Sequence, residues 1–362
     1  MSSATLDGVA VTLDEAYGHA ARILGKAKFP VVAGLGADVA GARAAILLAE
    51  RLRGAFDHMA SDEIFADLET MRSFAMFTTT PNEARLRADV LLLVGPGLIE
   101  RWPRLVERLA PHKPVHFSGA ARKIVWIGPK AGDDKLDGVD VERLVVPVEV
   151  LPSLLATLRA RVGGRPVKLD PAVLQKVDAC AETLKGAKFG VAVWSAASLG
   201  ALGVEALQSL ISDLNATTRF SGVPIGARAG AAGVTQVAGW MTGFPPRTGF
   251  GRGHPEHDPW RFDARRLVDS GEADAALWIS AYGNEAPNWT SNNVPLVTLA
   301  PKGAKVARGV YIEVGQPGET HDAIEFAQEA TTLVSRAAKT PGDAPSVADA
   351  LKAIDAKITE AA

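Results

Sequence analysis

Two stretches decide the fold: Ala27-Lys-Phe-Pro-Val-Val-Ala33 and, 160 residues later, Ala187-Lys-Phe-Gly-Val-Ala-Val193. Each is a short apolar run of the kind that fills a strand buried on both faces. Each also lies between two helical patterns. Thr12-Leu-Asp-Glu15 is a capping box that starts a helix from about Leu13 to Leu24, and Asp38 to Arg53 reads as a second helix closed by Gly54. Ahead of the later copy, Asp170 and Pro171 open a helix on which Val173, Val177, Cys180 and Leu184 recur at helical spacing. Two further pairs echo in the same order: Ala88-Asp-Val-Leu-Leu-Leu-Val94 with Ala273-Asp-Ala-Ala-Leu-Trp-Ile279, and Pro114-Val-His-Phe117 with Pro295-Leu-Val-Thr298. Buried strands resemble one another because few residues suit them, but an ordered recurrence of three elements points to duplicated Rossmann-like modules. Strands at Val90–Val94, Val115–Phe117 and Leu144–Val148 and a helix over Leu151–Val162 complete the alternation. The fold class is α/β, with parallel sheets covered by helices on both faces.

The composition agrees with a packed protein. With 362 residues, 47% hydrophobic and 22% charged, the chain has room for two or three domains and is neither disordered nor fibrous. Its 39 basic and 41 acidic residues leave no electrostatic footprint for nucleic acid or an anionic membrane. The longest apolar run, Val90 to Ile99, is interrupted by Gly95-Pro-Gly97 and falls short of the ~18 residues of a membrane helix. The N terminus has no basic region followed by an apolar one, so a cytoplasmic protein is expected. The single cysteine, Cys180, rules out an intrachain disulfide and any iron–sulfur cluster carried by this chain alone; on an apolar helical stripe it reads as a buried, inert thiol.

Candidate chemistry is sparse. Gly34-Leu-Gly-Ala-Asp-Val-Ala-Gly41 follows a strand and opens a helix, but Val39 stands where a dinucleotide loop needs its third glycine, so a tight strand-to-helix turn is the expectation. His254-Pro-Glu-His-Asp258 gathers ligand types suited to zinc or iron, yet Pro255 and Pro259 break any helical ligand spacing, and hydrogen-bonded loop roles are expected. His112 and His116 flank Pro114 and read as surface or interface residues. Ser221 to Trp260, with nine glycines and five prolines, shows little regular pattern, while its aromatics argue that it packs. No catalytic, cofactor-binding or metal-binding residue is therefore assigned, and no cofactor is expected.

Ala238-Gly-Trp-Met-Thr-Gly-Phe-Pro-Pro246, Phe250-Gly-Arg-Gly-His-Pro255 and Gly271-Glu-Ala-Asp-Ala-Ala-Leu-Trp-Ile279 closely resemble a stretch of the B subunit of formylmethanofuran dehydrogenase, of the molybdopterin oxidoreductases. Ala49 to Asp57 and Arg87 to Val94 fit as well, so the resemblance covers most of the chain. It implies two Rossmann-like modules interleaved in sequence, with the chain leaving the first near Ser61 and returning near the Ala187 strand. The expected division is 1–62 with 180–345 as the first module, holding the Gly-rich loop 221–260, then 63–179 as the second and 346–362 as a C-terminal helix. Catalytic members carry an N-terminal cysteine cluster for iron–sulfur, a Ser-x-Cys segment whose cysteine ligates molybdenum or tungsten, and a C-terminal pterin-embracing domain. Here Leu6 to Glu15 resembles the segment just after the cysteine cluster. Ser61-Asp-Glu63 stands at the Ser-x-Cys position, with Asp62, Glu63 and Asp67 in place of sulfur. Glu63 and Asp62 are expected to be solvated or paired with an arginine.

The B subunit of the bacterial formyltransferase/hydrolase complex of methylotrophs shares this reduced pattern. The resemblance implies a non-catalytic scaffold bound to the A, C and D subunits in a hetero-oligomer. That complex passes the formyl group of formyl-tetrahydromethanopterin to a methanofuran-type carrier and releases formate, in formaldehyde oxidation and one-carbon metabolism. Two other readings stand beside it: a residual ligand-binding cleft using Arg228, Arg252 and the Gly-rich loop, and an active pterin-dependent oxidoreductase with a glutamate ligand.

Overall fold

The structure, a computed structural model, describes residues 3–109, 116, 121–130, 140–306 and 308–361. It divides into two compact units, 1–61 with 228–326 and 333–362, and 62–227 with 327–332.

Unit 1 begins with β1 (Ala4–Leu6), β2 (Val9–Val11), α1 (Leu13–Lys26), β3 (Pro30–Gly36), α2 (Val39–Arg51) and β4 (Ala55–Phe56). The capping box forms in full, with Thr12 accepting from the Glu15 amide and Glu15 accepting from the Thr12 amide. Unit 2 follows, as α3 (Ser61–Phe74), α4 (Pro81–Arg87), β5 (Val90–Val94), α5 (Leu98–Arg101), α6 (Leu105–Leu109), β6 (Lys123–Gly128), β7 (Val141–Val145), α7 (Leu151–Val162), α8 (Pro171–Lys185), β8 (Gly190–Ser195), α9 (Ala196–Leu214) and β9 (Phe220–Ile225). The chain then completes unit 1 with α10 (Ala231–Thr242), β10 (Thr248–Gly249), β11 (Glu256–His257), α11 (Ala264–Asp269), β12 (Ala275–Ser280), β13 (Leu296–Ala300), β14 (Val310–Glu313), β15 (Ala323–Ala327), β16 (Thr332–Arg336) and α12 (Val347–Ala361).

The sheet of unit 1 runs β11-β10-β4-β3-β12-β13-β14-β1-β2, and that of unit 2 runs β7-β6-β5-β8-β9. The parallel cores match strand for strand. β3 lies between β4 and β12, and β8 lies between β9 and β5, all in parallel. The two Ala-Lys-Phe strands thus hold equivalent places. The repeated Ala-Asp explains itself as a latch. The Asp274 carboxylate accepts from the Lys28 and Phe29 amides (2.8 and 3.0 Å), and the Asp89 carboxylate accepts from those of Lys188 and Phe189 (2.9 Å each). Each aspartate ties the start of its strand to that of the neighbouring strand.

The central strands β3, β5, β8 and β12 are buried along their whole length, which is why they are almost entirely apolar. In unit 2, Leu92, Val94 and Val125 pack with α7, α8 and α9, while Leu91, Leu93 and Ile124 meet Leu98, Trp102 and Leu105. In unit 1, Val32 and Leu35 face α1, α2, α10 and α12, while Val31 and Ala33 face Phe262, Leu267 and Val268.

Three expectations need correction. The return to the first module comes at Arg228 and not at residue 180, because β8 and β9 pair with β5. The strand beside β5 is Lys123–Gly128; Val115 and Phe117, of the expected strand, lie outside the described residues, as does His112. The Gly-rich stretch 221–260 is largely regular, for it holds the twelve-residue helix α10, capped at both ends by left-handed glycines, Gly230 and Gly243.

Candidate functional site

Ligands of doubly wound folds bind outside the carboxyl ends of the parallel strands, where the strand order reverses. In unit 1 that place is between β3 and β12, with the ends of β4 and α10 beside it. The Gly34–Gly41 loop lies there. A Cβ on Gly34 would meet the Ile279 carbonyl oxygen at 2.5 Å, and one on Gly36 would meet Met59 and Ser280 at 3.2 Å, so these glycines serve the close approach of β3 to β12. The buried Asp38 carboxylate accepts from the Gly41 amide at 3.0 Å. The helix N-terminus therefore already holds an anionic oxygen from the chain, where a dinucleotide protein offers its amides to pyrophosphate.

The strongest buried polar cluster follows β4. Asp57 and His58 are 4% and 2% exposed, and Ser61 is buried with them. By composition the three read as a nucleophilic triad; by geometry they do not. Ser61 donates its hydroxyl proton to Asp57 Oδ1 at 2.5 Å. The His58 ring is held by backbone on both nitrogens. Nδ1 accepts from the Ala60 amide (3.0 Å), so the proton is on Nε2, which faces the Ala229 carbonyl at 3.1 Å. Neither ring nitrogen can take a proton from Ser61. Burial pushes the imidazole down to about 4 and the Asp57 carboxyl up to about 6, the latter against the pull of Arg247, the Ala264 amide and Ser61. Asp57 Oδ2 accepts from the Ala264 amide (2.9 Å), and Arg247 lies 3.5 Å from Asp57 and 2.5 Å from Asp263. Asp263 in turn caps α11 through the Arg266 amide. The cluster ties the end of β4 to α11 and to the segment that re-enters unit 1 at Arg228.

In unit 2, Glu63 is clamped by both terminal nitrogens of Arg101, at 2.8 and 3.4 Å, as expected of an arginine partner. Asp62 is exposed. Asp67, four residues along the same helix, accepts from the Trp194 indole at 3.0 Å, and its carboxyl is pushed up to about 6 by burial, with Glu63 adding to the rise.

The His254–Asp258 residues disperse into separate roles. Glu256 pairs with Arg252 at 3.1 Å, His257 Nδ1 faces the Arg247 carbonyl at 2.9 Å while its ring stacks on Phe244, and Asp258 accepts from the Trp260 and Arg261 amides. Among the described residues no group of three or more His, Cys, Asp or Glu is placed to hold a metal ion. Cys180 is buried and its thiol is pushed up to about 12 by burial, so it is inert. His116 is exposed. Arg228 is exposed on the His58 side, at the carboxyl end of the strands, whereas Arg252 lines a cleft of about 400 Å³ with Phe29 at their amino end. The two arginines do not converge on one ligand.

Sequence reading missed Asp57, His58 and Arg247. The one local signal was the pair Asp57-His58 directly after a two-residue apolar strand.

Two doubly wound units interleaved in sequence, with Asp38, Asp57 and Asp67 each held by the chain's own donors, define a duplicated Rossmann-like protein. No family model matches the chain. Over 99% of its length it is 32% identical to the B subunit of the formyltransferase/hydrolase complex Fhc of Methylorubrum extorquens, spanning 98% of that protein. It is 27% identical over 80% of its length to the B subunit of the tungsten-containing formylmethanofuran dehydrogenase 2 of Methanocaldococcus jannaschii, spanning 70% of it. The structure matches a chain in the crystal structure of the FhcABCD complex from M. extorquens, determined in complex with methylofuran, with a TM-score of 0.88, 31% identity and 99% coverage of both chains. The chain belongs to the family of formyltransferase/hydrolase complex B subunits and is related to the tungsten-containing dehydrogenase subunits.

Proposed function

We propose that this chain is the non-catalytic scaffold subunit of a formyltransferase/hydrolase complex. It assembles with the A, C and D subunits of that complex in the cytoplasm, and the complex converts formyl-tetrahydromethanopterin to formate through a methanofuran-type carrier. The observation that carries this reading is correspondence over 99% of both chains with a component of an assembled FhcABCD complex. The site geometry supports the non-catalytic part. Asp57, His58, Ser61 and Glu63 each spend their polar atoms on neighbours within the chain, which leaves them unavailable for proton transfer or ligation. No helix among the described residues is long and apolar enough to cross a membrane.

Co-expression of this chain with the A, C and D subunits from the same host, followed by native mass spectrometry, tests the reading. The expected result is co-purification in one assembly that produces formate. A stable monomer without affinity for the other three would contradict it.

A further inference from the structure

The internal repeat supplies a control for surface features. Alignment of α1 with α8 at the 160-residue offset puts Ala20 on Cys180, Ala21 on Ala181 and Leu24 on Leu184, and all six are buried. Residues that differ at exposed positions of this pair are therefore not demanded by the shared packing. Along one side of α1 run His19, Arg22 and Lys26; the matching residues on α8 are Ala179, Glu182 and Gly186. In α8, Glu182 is paired with Lys185 at 2.9 Å. In α1, Arg22 and Lys26 are exposed and have no ion-pair partner among the described residues.

Arg22 and Lys26, with His19 beside them, rim a groove of about 390 Å³, with Ile23, Ala27 and Pro295 as its apolar floor and Asp274 on the far side. The Asp274 carboxylate keeps its charge while it accepts from the Lys28 and Phe29 amides, so Arg22 and Lys26 together leave the groove with an excess of one positive charge. Cations in the last turn of a helix also answer its dipole. That accounts for Lys26, but not for Arg22 or His19, which lie further back.

We propose that this groove of unit 1 docks an acidic, extended segment of a partner subunit, with glutamate or aspartate carboxylates on Arg22 and Lys26 and their stems on Ile23 and Pro295. Charge complementarity selects the occupant: a basic rim over a short apolar floor suits carboxylates on aliphatic stems. The inference rests on the assembly reading only for the identity of the chain that carries the acid.

The test uses the full chain and a fluorescein-labelled oligoglutamate peptide, followed by anisotropy at about 0.02 M and about 0.3 M salt, since exposed ion pairs weaken as the Debye length shortens. Wild type is expected to bind at low salt and to lose most of that binding at high salt. The Arg22→Ala/Lys26→Ala variant should bind about tenfold more weakly, the sum of two exposed ion pairs. Lys185→Ala, the change in the sister helix, should have no effect, and oligolysine should not bind. No binding by wild type, equal binding by the double variant, or displacement of the peptide by free acetate at equal carboxylate concentration would overturn the proposal. Co-purification with the other subunits is scored separately: if wild type assembles with them but ignores the peptide, the groove proposal fails and the assembly reading stands.

Discussion

Unit 1 and unit 2 share a parallel core and an aspartate latch, yet they finish the carboxyl ends of their equivalent strands differently. In unit 2 the end of β9 is closed by a neutral clamp, in which Gln328 accepts from the Gly226 amide (2.9 Å) and donates to the Pro224 carbonyl (3.0 Å). In unit 1 the equivalent strand β4 ends in Asp57 and His58, knitted to Arg247 and Asp263. One topology therefore accepts both a neutral and an ionisable closure. In the ionisable one, the Asp57 carboxylate and both His58 ring nitrogens are engaged by partners within the chain.

The sharpest contrast is between those closures. Arg247→Met strands Asp57 and Asp263 without their cation and should cost about 3–5 kcal/mol in chemical denaturation, as for a broken buried ion pair. Gln328→Ala should cost about 1–2 kcal/mol, the loss of neutral hydrogen bonds. Equal costs would break the distinction.

The pH dependence separates the units next. The folded chain keeps a proton on Asp57 until about pH 6, whereas the ordinary carboxyl gives it up near 3.8, so this group's contribution to stability falls as pH rises from about 4 to about 6. His58 works oppositely. Its folded value is about 4 against an ordinary 6.5, so the unfolded chain binds the extra proton and stability rises over nearly the same range. The two offset each other within unit 1. In unit 2, Asp67, raised to about 6, contributes a fall between about pH 4 and 6 with no histidine beside it to offset it. Asp57→Asn should make stability climb more steeply from pH 4 to 6, by about 2–3 kcal/mol across the range. Asp67→Asn should remove a fall, and His58→Gln should add one. Urea midpoints taken across that range check all three signs.

The latches probe equivalence itself. Asp89→Ala and Asp274→Ala each free two backbone amides from a charged acceptor, and each should cost about 1–2 kcal/mol. A difference of severalfold would mean that the two Ala-Lys-Phe strands are not equivalent. The smallest effect belongs to Glu63→Ala. Loss of its partly exposed pair with Arg101 should lower stability by no more than about 1 kcal/mol.

Much of this was legible in the residues, because local chemistry and tertiary context agree there. Thr12 with Glu15, Asp38 before α2, and Asp170-Pro171 before α8 each mark a helix start that the structure keeps. The ordered repeat revealed which strands are equivalent. It did not reveal which share a sheet, because unit 2 takes its two halves in the reverse of unit 1's order, and similarity between strands carries no information on pairing. Helix α10 hid because glycines stand at both caps and at Gly233 and Gly239 within it, where serine or aspartate caps would have announced it. Asp57 and Arg247 stand 190 residues apart, and only the pairing of β10 beside β4, with Thr248 opposite Phe56, brings them together. No short-range pattern encodes that contact.

Formate production by the assembled complex tests the central claim most directly, with this chain as wild type, as the combined Ser61→Ala/Glu63→Ala variant, or left out. A scaffold predicts that the intact complex with the variant stays within about twofold of wild type, since neither change costs enough to unfold the chain, and that omission of the chain collapses assembly and activity together. Loss of formate production by the variant with the complex still intact would contradict the account and give this chain a part in the chemistry.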